Sequence, residues 1–318
     1  MIATAICLRN SRSRPLKVTL LNSLKGVIMK NISTCIWFDH SAEEATHFYH
    51  TVFADTEITQ IAKYPKSAEK VSGRPAGSVM TVEMTLENVD IMALNGGPSF
   101  KPNPAFSYTI NCSSEAEIKG LWTQLSKDGE IRMGLDHYPW AEFYGWTADK
   151  YGVEWQLILS NVKEKIVPSL LFVDSLFGRG EEAINFYTSL FPDSKIESMA
   201  YAEDKKSVMH ASFRLNNQLF NLMEGPGKHG HVFDYGMSFM INCDDQNEID
   251  YYWEKLSEGG TEEQCGWVKD KFGVSWQITP KDIGNYYTGD PAKADKVFAA
   301  MLQMKKLDQE KLKSAANS

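Results

Sequence analysis

The chain has 318 residues, of which 43% are hydrophobic and 23% charged, and its formal net charge is −8. This length and composition predict a soluble protein of two globular domains, and the acidic balance without a basic stripe argues against nucleic-acid binding. No apolar run approaches the roughly 20 residues of a membrane-spanning helix, so no membrane partner is expected. Five cysteines without a CxxC pair are typical of a reducing compartment, and we expect a cytoplasmic protein.

Residues 1–30 differ from the rest of the chain because they are basic and contain no acidic residue, the first acid being Asp39. Such a segment has two interpretations, a targeting leader or an upstream extension with translation starting at Met29. Its apolar stretches are short and interrupted by charges, which argues against a cleaved secretory signal. We expect this basic leader to be disordered in either case.

The remainder of the chain contains two copies of one sequence. GWTADKYGVEWQL, starting at Gly145, and GWVKDKFGVSWQI, starting at Gly266, share eight of thirteen positions. EEATHFYHTVFADTEI likewise matches EEAINFYTSLFPDSKI, and SYTINCSSEAEIKGLWTQLSKDG matches SFMINCDDQNEIDYYWEKLSEGG, in the same order. A period this long indicates a duplicated domain rather than a solenoid. We assign residues 31–160 to the first copy and 166–281 to the second.

Both copies predict the same order of elements. A short strand (ISTCIWF or PSLLFV) leads into a helix with apolar residues at i, i+3, i+4 and i+7. Each copy continues with a strand, VMTVEMTL or VMHASFRL, and a hairpin-like segment, DIMALNGG or LFNLMEGP. A strand, SYTINC or SFMINC, then precedes a second helix and a terminal hairpin. This order predicts an α+β fold with curved antiparallel sheets. Residues 282–318 are predicted to form a helical tail, with Asp290 as N-cap and Pro291 in the first turn.

These phrases resemble the PhnB-like branch of the vicinal-oxygen-chelate superfamily, which comprises glyoxalases, bleomycin-resistance proteins and dioxygenases. Members of the branch are often labelled 3-demethylubiquinone-9 3-methyltransferase. The resemblance covers about residues 31–306 and is carried by EEAINFY, INC before a helix, and GWVKDKFGVSWQI. It implies a duplicated glyoxalase-like fold of tandem βαβββ modules whose sheets curl around a cavity.

The resemblance also implies where a metal would bind, since metal enzymes of the superfamily take ligands from the first, middle and last strands. His or Gln is used early, His in the middle and Glu at the end. The matching positions here fall near Ile32 and Val167, near Ser107 and Ser238, and on Gln156 and Gln277. These side chains bring no charge to neutralise a cation. We therefore predict no metal and no other cofactor, with a divalent metal as the alternative.

Alternation along the last strand of the first copy places Glu154, Gln156 and Ile158 on one face and Trp155 on the other. Trp146 and its counterpart would stack on a flat ligand or, alternatively, pack in the core. The predicted cavity residues of both copies are Gln156, Gln277, Ser107, Ser238, Thr109, Met240, Trp146 and Trp267.

Glu83 is the one candidate catalytic residue. A carboxyl in the cavity would have a raised pKa and act as a base, whereas one facing solvent would do nothing. The segment DHYPW, with His137 and Trp140, is predicted to be a long loop that covers the first-copy cavity. Other candidates favour structural readings: His47 and His50 as a solvated helix face, the HGH segment as a surface loop, and Cys265 as an unactivated thiol.

Two functions from different classes remain. The first is a metal-independent protein that binds an unknown small molecule in an apolar cavity. The second is a lyase-like or dioxygenase-like enzyme of the same fold that uses a metal or Glu83, so that whether the protein is an enzyme stays open. Methyl transfer is not expected, because no glycine-rich loop follows a predicted strand. Both halves of the pair are on one chain, which predicts a monomer with pseudo-dimeric halves or a homodimer.

Overall fold

The computed structural model describes residues 32–318, and the basic leader lies outside them. Within these residues the order β-α-β-β-β occurs four times and a helical tail follows. Unit 1 contains β1 (Ser33–Phe38), α1 (Ala42–Val52), β2 (Thr56–Lys63), a short helix α2 (Glu69–Ser72), β3 (Val79–Leu86) and β4 (Val89–Asn95). Unit 2 contains β5 (Phe106–Cys112), α3 (Glu115–Leu125), β6 (Glu130–Tyr138), β7 (Ala141–Ala148) and β8 (Glu154–Leu159).

The second half of the sequence repeats this order. Unit 3 contains β9 (Ile166–Phe172), α4 (Gly180–Leu190), β10 (Lys195–Tyr201), β11 (Val208–Leu215) and β12 (Gln218–Glu224). Unit 4 contains β13 (Met237–Cys243), α5 (Gln246–Ser257), β14 (Thr261–Glu262), β15 (Trp267–Lys269) and β16 (Ser275–Pro280). The tail forms α6 (Pro291–Met301) and α7 (Gln309–Asn317). None of the helices in the described part of the chain is long and apolar enough to cross a membrane.

The strands form two eight-stranded sheets, and each sheet combines one unit from each half of the sequence. Sheet A has the order β14-β15-β16-β13-β1-β4-β3-β2, and sheet B has the order β10-β11-β12-β9-β5-β8-β7-β6. The halves join through two antiparallel pairs, β1 with β13 and β5 with β9. The tandem βαβββ architecture is thus confirmed, and the two halves are interleaved in it.

The sheets are mixed rather than antiparallel, which corrects the prediction. Within each unit the last strand lies parallel to the first, as β4 does to β1 and β8 does to β5. The helix and the intervening strands form the connection that a parallel pair requires.

Two further differences concern single elements. Strands β2 and β10 were not predicted, because they lie at sheet edges where exposed side chains weaken the hydrophobic alternation. The prediction of a loop at DHYPW was wrong. Asp136, His137 and Tyr138 end β6, and the chain reverses at Pro139 and Trp140 into β7.

The helices cover one face of each sheet and leave the other face concave. In α1 the buried residues are Ala42, Ala45, Thr46, Tyr49 and Val52, which leaves a polar outer face. One hydrophobic core continues from sheet to sheet, since the rings of Phe106 on β5 and Phe239 on β13 lie 4.9 Å apart. The free concave faces are the places where ligands can bind.

The repeated DKYG and DKFG turns are held by a buried aspartate. Asp149 accepts hydrogen bonds from the Tyr49 hydroxyl and the Trp155 indole, both at 2.8 Å, and from the backbone amides of Tyr151 and Val153. Asp270 accepts the same four bonds in the second copy. Burial raises the pKa of each aspartate to about 6, although the four donors oppose the shift. The hydrogen bonds of the buried aspartate therefore give a structural reason for the similar DKYG and DKFG turns of the two copies.

The C-terminal tail packs on sheet A. Phe298 of α6 lies against Tyr64 and Met80 of unit 1, and the backbone amides of Cys265 and Gly266 donate to the carbonyls of Met304 and Lys305. Asp290 caps α6 as predicted, accepting from the amide of Ala292 at 2.9 Å. The two cavities thus differ in what borders them: the tail in sheet A, and the end of the β6–β7 hairpin, itself part of the sheet, in sheet B.

Candidate functional site

The concave face of sheet B encloses a cavity of about 580 Å³. Units 2 and 3 both contribute to this sheet B cavity, and its walls are mainly apolar and aromatic. The lining residues are Thr109, Met133, Trp140, Tyr144, Trp146, Gln156, Ile158, Leu171, Met209, His210, Met223 and Glu224.

Strand alternation explains which side chains reach the cavity. Gln156 and Ile158 of β8 face it, while Trp155 and Leu157 are fully buried on the helix side. Register then places Thr109 of β5 and Trp146 of β7 on either side of Gln156.

The polar groups at the centre of the cavity wall are hydrogen-bonded to one another. Gln156 donates through Nε2 to Ser107 Oγ at 2.8 Å and accepts from the Tyr144 hydroxyl at 2.7 Å. The hydroxyls of Thr109 and Ser169 lie 2.8 Å apart. Because these partners occupy the amide of Gln156, this residue holds neighbouring side chains of the wall in place as well as giving the wall a polar surface.

Glu224 is held by the backbone at the edge of the same cavity. Its Oε2 accepts from the amide of Val208 at 2.9 Å, and its Oε1 accepts from the amide of Gly180 at the start of α4. A Cβ at position 180 would lie 2.5 Å from Oε1, so only glycine allows this approach.

His210 and Trp140 retain polar atoms without a protein partner. Neither side chain hydrogen-bonds to any residue in the range 32–318, and both face the cavity. Partial desolvation of the imidazole by surrounding protein lowers the pKa of His210 below its usual 6.5, although the residue remains exposed to solvent. Sequence reasoning missed His210; the signal available was a histidine within the strand VMHASFRL.

Glu154 and Arg132 form an ion pair beside Trp146. Arg132 Nη2 lies 2.9 Å from Glu154 Oε1, and the Trp146 indole donates to Oε2 at 2.8 Å. The Glu154 side chain is 1% exposed and that of Arg132 is 30% exposed. Burial raises the pKa of Glu154 and the guanidinium opposes that shift. The pair fixes the indole plane of Trp146 at the wall of the cavity.

Sheet A contains an equivalent pair of hydrogen-bonded polar residues, but the space in front of them is filled by other side chains. Gln277 donates to Ser238 Oγ at 3.0 Å, and both residues are buried. Burial raises the pKa of the adjacent Cys35 thiol to about 12. Trp267 packs on Tyr235 with ring centroids 5.4 Å apart instead of facing an open space.

An aromatic row accounts for this closure. Trp37 contacts Phe100, Phe100 contacts Tyr235, and Tyr235 contacts Trp267, with centroid distances of 5.3, 4.8 and 5.4 Å. Phe100 belongs to the connection between β4 and β5. What remains is a smaller cavity of about 220 Å³, lined by Met240 and Glu83 among others.

The residues at the implied metal positions do not fit a divalent cation. Ile32 points into the hydrophobic core, so Ser33 and Cys35 are the β1 residues nearest to that position. At the implied positions in sheet B the available side chains are the hydroxyls of Ser107 and Ser169 and the amide of Gln156, all neutral and already hydrogen-bonded. No group of three His, Cys, Asp or Glu side chains suited to a metal occurs among residues 32–318. Such a cation requires charged or imidazole donors that converge.

The other sequence candidates lie apart from both cavities. His47 contacts the carbonyl of Glu43, and His50 contacts Thr56, both on the exposed side of α1. His231 does not line either cavity and instead lines a small crevice near Phe233. Cys265 donates to the Met301 carbonyl at 3.7 Å, and burial raises the pKa of its thiol.

Comparisons with known proteins agree with this fold. Glyoxalase I from Zea mays is 12% identical and covers 79% of this chain and 93% of its own, with a TM-score of 0.52. At that identity the likeness shows the fold alone, which is the glyoxalase-like, vicinal-oxygen-chelate fold.

The family follows from the sequence match. The family model described as 3-demethylubiquinone-9 3-methyltransferase matches residues 30–158 and again 164–279, and the chain belongs to that family. A putative 3-demethylubiquinone-9 3-methyltransferase, PhnB protein, from Bacillus cereus is 34% identical over 41% of this chain and 100% of its own, with a TM-score of 0.37. Protein YjdN of Escherichia coli is 24% identical over 136 residues, which are 40% of this chain and 92% of YjdN.

Proposed function

We propose that this protein binds a flat, largely apolar small molecule with one hydrogen-bond acceptor in the sheet B cavity, without a metal. The observation that carries the proposal is the distribution of free polar atoms. Gln156, Thr109 and Glu224 are occupied by protein partners, whereas the Trp140 indole and the His210 imidazole are not. A pocket of this kind gains affinity from apolar contact and orientation from a few polar groups.

The walls suit a planar ligand. Trp140, Tyr144 and Tyr138 form an aromatic group on the β6–β7 hairpin, with the rings of Trp140 and Tyr144 6.4 Å apart and those of Tyr138 and Tyr144 5.8 Å apart. Met133, Met209 and Met223 line the remaining walls. Methionine adapts to irregular shapes and contacts aromatic rings favourably, so the cavity can accept ligands of somewhat different outline.

Binding rather than methyl transfer is the proposed activity. S-adenosylmethionine sites of the common type lie in a glycine-rich loop between the first strand and helix of a parallel sheet. Here β1 and α1 are joined by Asp39, His40 and Ser41, and β9 and α4 by residues 173–179, which contain a single glycine. Neither connection offers the closely approaching backbone that such a site uses.

The test uses 1-anilinonaphthalene-8-sulfonate, a planar aromatic anion, titrated into the full-length protein and followed by dye fluorescence and calorimetry. We expect one saturable site. Trp140→Ala and His210→Ala should each weaken binding by about tenfold, because each removes a ring contact or a polar partner. Trp140 is 61% exposed, so its removal should leave the thermal midpoint unchanged.

The matched control is Glu83→Gln, which alters the smaller cavity of sheet A and should leave dye binding unchanged. Multiple weak sites, or affinity that neither Trp140→Ala nor His210→Ala reduces, would contradict the proposal.

A further inference from the structure

The cavity of sheet A differs from that of sheet B in size and in chemistry. This sheet A cavity of about 220 Å³ lies between β2, β3 and β4 on one side and residues 283–285 of the tail on the other. Polar side chains contribute much of its lining, among them Ser33, Gln60, Glu83, Thr85, Asp90 and Asn242. Its volume corresponds to about seven water molecules at about 30 Å³ each, which limits an occupant to a small molecule.

Two carboxyl groups line the cavity. Glu83 and Asp90 both line it, and Asp90 accepts from the Thr85 hydroxyl at 3.1 Å. Glu83 makes neither a hydrogen bond nor an ion pair with any residue of the described chain. Burial and the neighbouring Asp90 charge both raise the pKa of Glu83. Lys281 lies at the edge of the cavity and is paired with Asp244, with Nζ 3.1 Å from Oδ1.

A buried donor lies next to this carboxyl. Strand register places Gln60 directly opposite Glu83, and Gln60 Nε2 is buried without a hydrogen-bond partner in the described structure. A buried donor left unpaired destabilises the folded state. A ligand that brings an acceptor to Gln60 and a cationic donor to Glu83 would satisfy both groups.

The tail closes the cavity at a glycine. A Cβ at position 284 would lie 2.5 Å from Gln60 Nε2 and 3.2 Å from Glu83 Oε1. The backbone of Gly284 therefore passes directly over the two polar groups, and its φ is not in the left-handed region. Alanine would be tolerated by the backbone at this position but would fill the space between the tail and the carboxyl.

From these contacts we propose that the sheet A cavity is a second, separate binding site for a small amine that carries an adjacent hydroxyl, with the ammonium on Glu83 and the hydroxyl oxygen accepting from Gln60. The equivalent of Glu83 in the second half is Ser212, which donates to Asn221 at 2.8 Å. The duplication has thus produced an acidic cavity in sheet A and an apolar one in sheet B.

The probes are ethanolamine, ethylene glycol and glycolate, each titrated into the full-length protein at neutral pH with ligand-observed NMR and calorimetry. Ethanolamine should bind saturably at one site and more tightly than the other two, since the neutral diol lacks the charge and glycolate is repelled. Glu83→Gln should weaken ethanolamine binding by about tenfold or more, because a charge-assisted hydrogen bond is lost.

Gly284→Ala should abolish binding while both carboxyls stay in place, and it carries the test if Glu83→Gln fails to fold. Ser212→Ala is the matched control in sheet B and should leave ethanolamine binding unchanged. The proposal is overturned if no probe saturates, if ethylene glycol or glycolate binds as tightly as ethanolamine, or if both variants bind normally. Dye binding in sheet B is scored separately, so each site stands or fails independently.

Discussion

Two buried aspartates should contribute to the pH dependence of this protein's stability. Asp149 and Asp270 are nearly inaccessible, and burial raises their pKa from 3.8 to about 6 in the folded state. Because the folded pKa exceeds the unfolded value, proton binding to these two aspartates stabilises the folded state. This stabilisation is fully present below the unfolded pKa and is lost as pH rises through 6. Each site contributes a slope of at most about 1.4 kcal/mol per pH unit.

Asp149→Asn should therefore remove part of this pH dependence. The free energy of unfolding of the unaltered protein should fall from pH 5 to pH 7, and the fall should be smaller in the variant. The variant should also lose about 1–3 kcal/mol of stability, because an amide cannot accept all four bonds. Urea denaturation at both pH values measures this. Parallel pH profiles for the two proteins would contradict the raised pKa.

The Arg132–Glu154 pair supports the cavity wall. Arg132→Met leaves Glu154 buried with the Trp146 indole as its remaining side-chain partner, and should cost about 3 kcal/mol, near the lower end for a broken buried pair because Arg132 is partly exposed. Adding Glu154→Gln should recover most of the loss, since no buried charge then remains. Urea denaturation of the single and double variants decides the matter; a double variant no more stable than Arg132→Met would refute this account.

His210 should make ligand binding pH-dependent. Its pKa lies below 6.5, so the imidazole is neutral at pH 7 and becomes cationic as the pH falls through that pKa. The affinity for a sulfonate dye should therefore increase on acidification, and His210→Ala should abolish the increase. Dye titrations across this pH range provide the measurement, and an unchanged slope in the variant would exclude His210 as the titrating group.

Among the elements, the β6–β7 hairpin accounts for most of the difference between the two cavities. In sheet B these strands extend over Glu130–Tyr138 and Ala141–Ala148, whereas the equivalent β14 and β15 are Thr261–Glu262 and Trp267–Lys269. The longer hairpin carries Tyr138, Trp140 and Tyr144 over the cavity. In sheet A, Phe100 contacts Tyr235, which packs on Trp267, and residues 283–285 of the tail line the smaller cavity.

Shortening this hairpin should separate binding from stability. If residues 137–142 are replaced by a two-residue Asn-Gly turn, which favours tight hairpins, the fold should persist because none of the removed side chains is buried. Dye affinity should fall by about tenfold or more as the aromatic wall is lost. Calorimetric titration and thermal denaturation of the same preparation compare the two effects, and unchanged affinity would exclude the hairpin as part of the site.

On the scale of the whole molecule, the halves depend on each other because each sheet contains strands of both. Residues 32–162 alone would lose the pairs β1–β13 and β5–β9, leaving β1 and β5 unpaired along one edge. Unpaired edges of this kind associate with other strands. We propose that the intact chain completes both sheets within a monomer.

Expressing the halves separately tests this interpretation. The first half, cut within residues 160–165, should form a homodimer or larger species, and mixing with the second half should yield a one-to-one complex. Light scattering coupled to size-exclusion chromatography gives the masses. A stable monomer of the first half would contradict the interdependence of the sheets.

Local chemistry made much of this architecture predictable. Several features can be read from residues that are close together in the chain. They are the repeated phrases, the helix periodicity, the Asp290 cap and the alternation of Trp155 with Gln156. They identified the βαβββ order and which residues of β8 face a cavity. They missed the edge strands β2 and β10, where alternation is weak, and misread DHYPW, whose turn residues conceal a continuing hairpin.

The pairing of units across the halves and the inequality of the cavities depend on contacts between residues far apart in sequence. Phe100 closes sheet A by contacting Tyr235, and Gly284 approaches Gln60 and Glu83 from the tail. His210 faces the sheet B cavity because β11 joins a sheet whose other half comes from unit 2. Sequence periodicity shows only on which face of its own strand or helix a residue lies. Which distant residues pack against that face is decided by the tertiary fold.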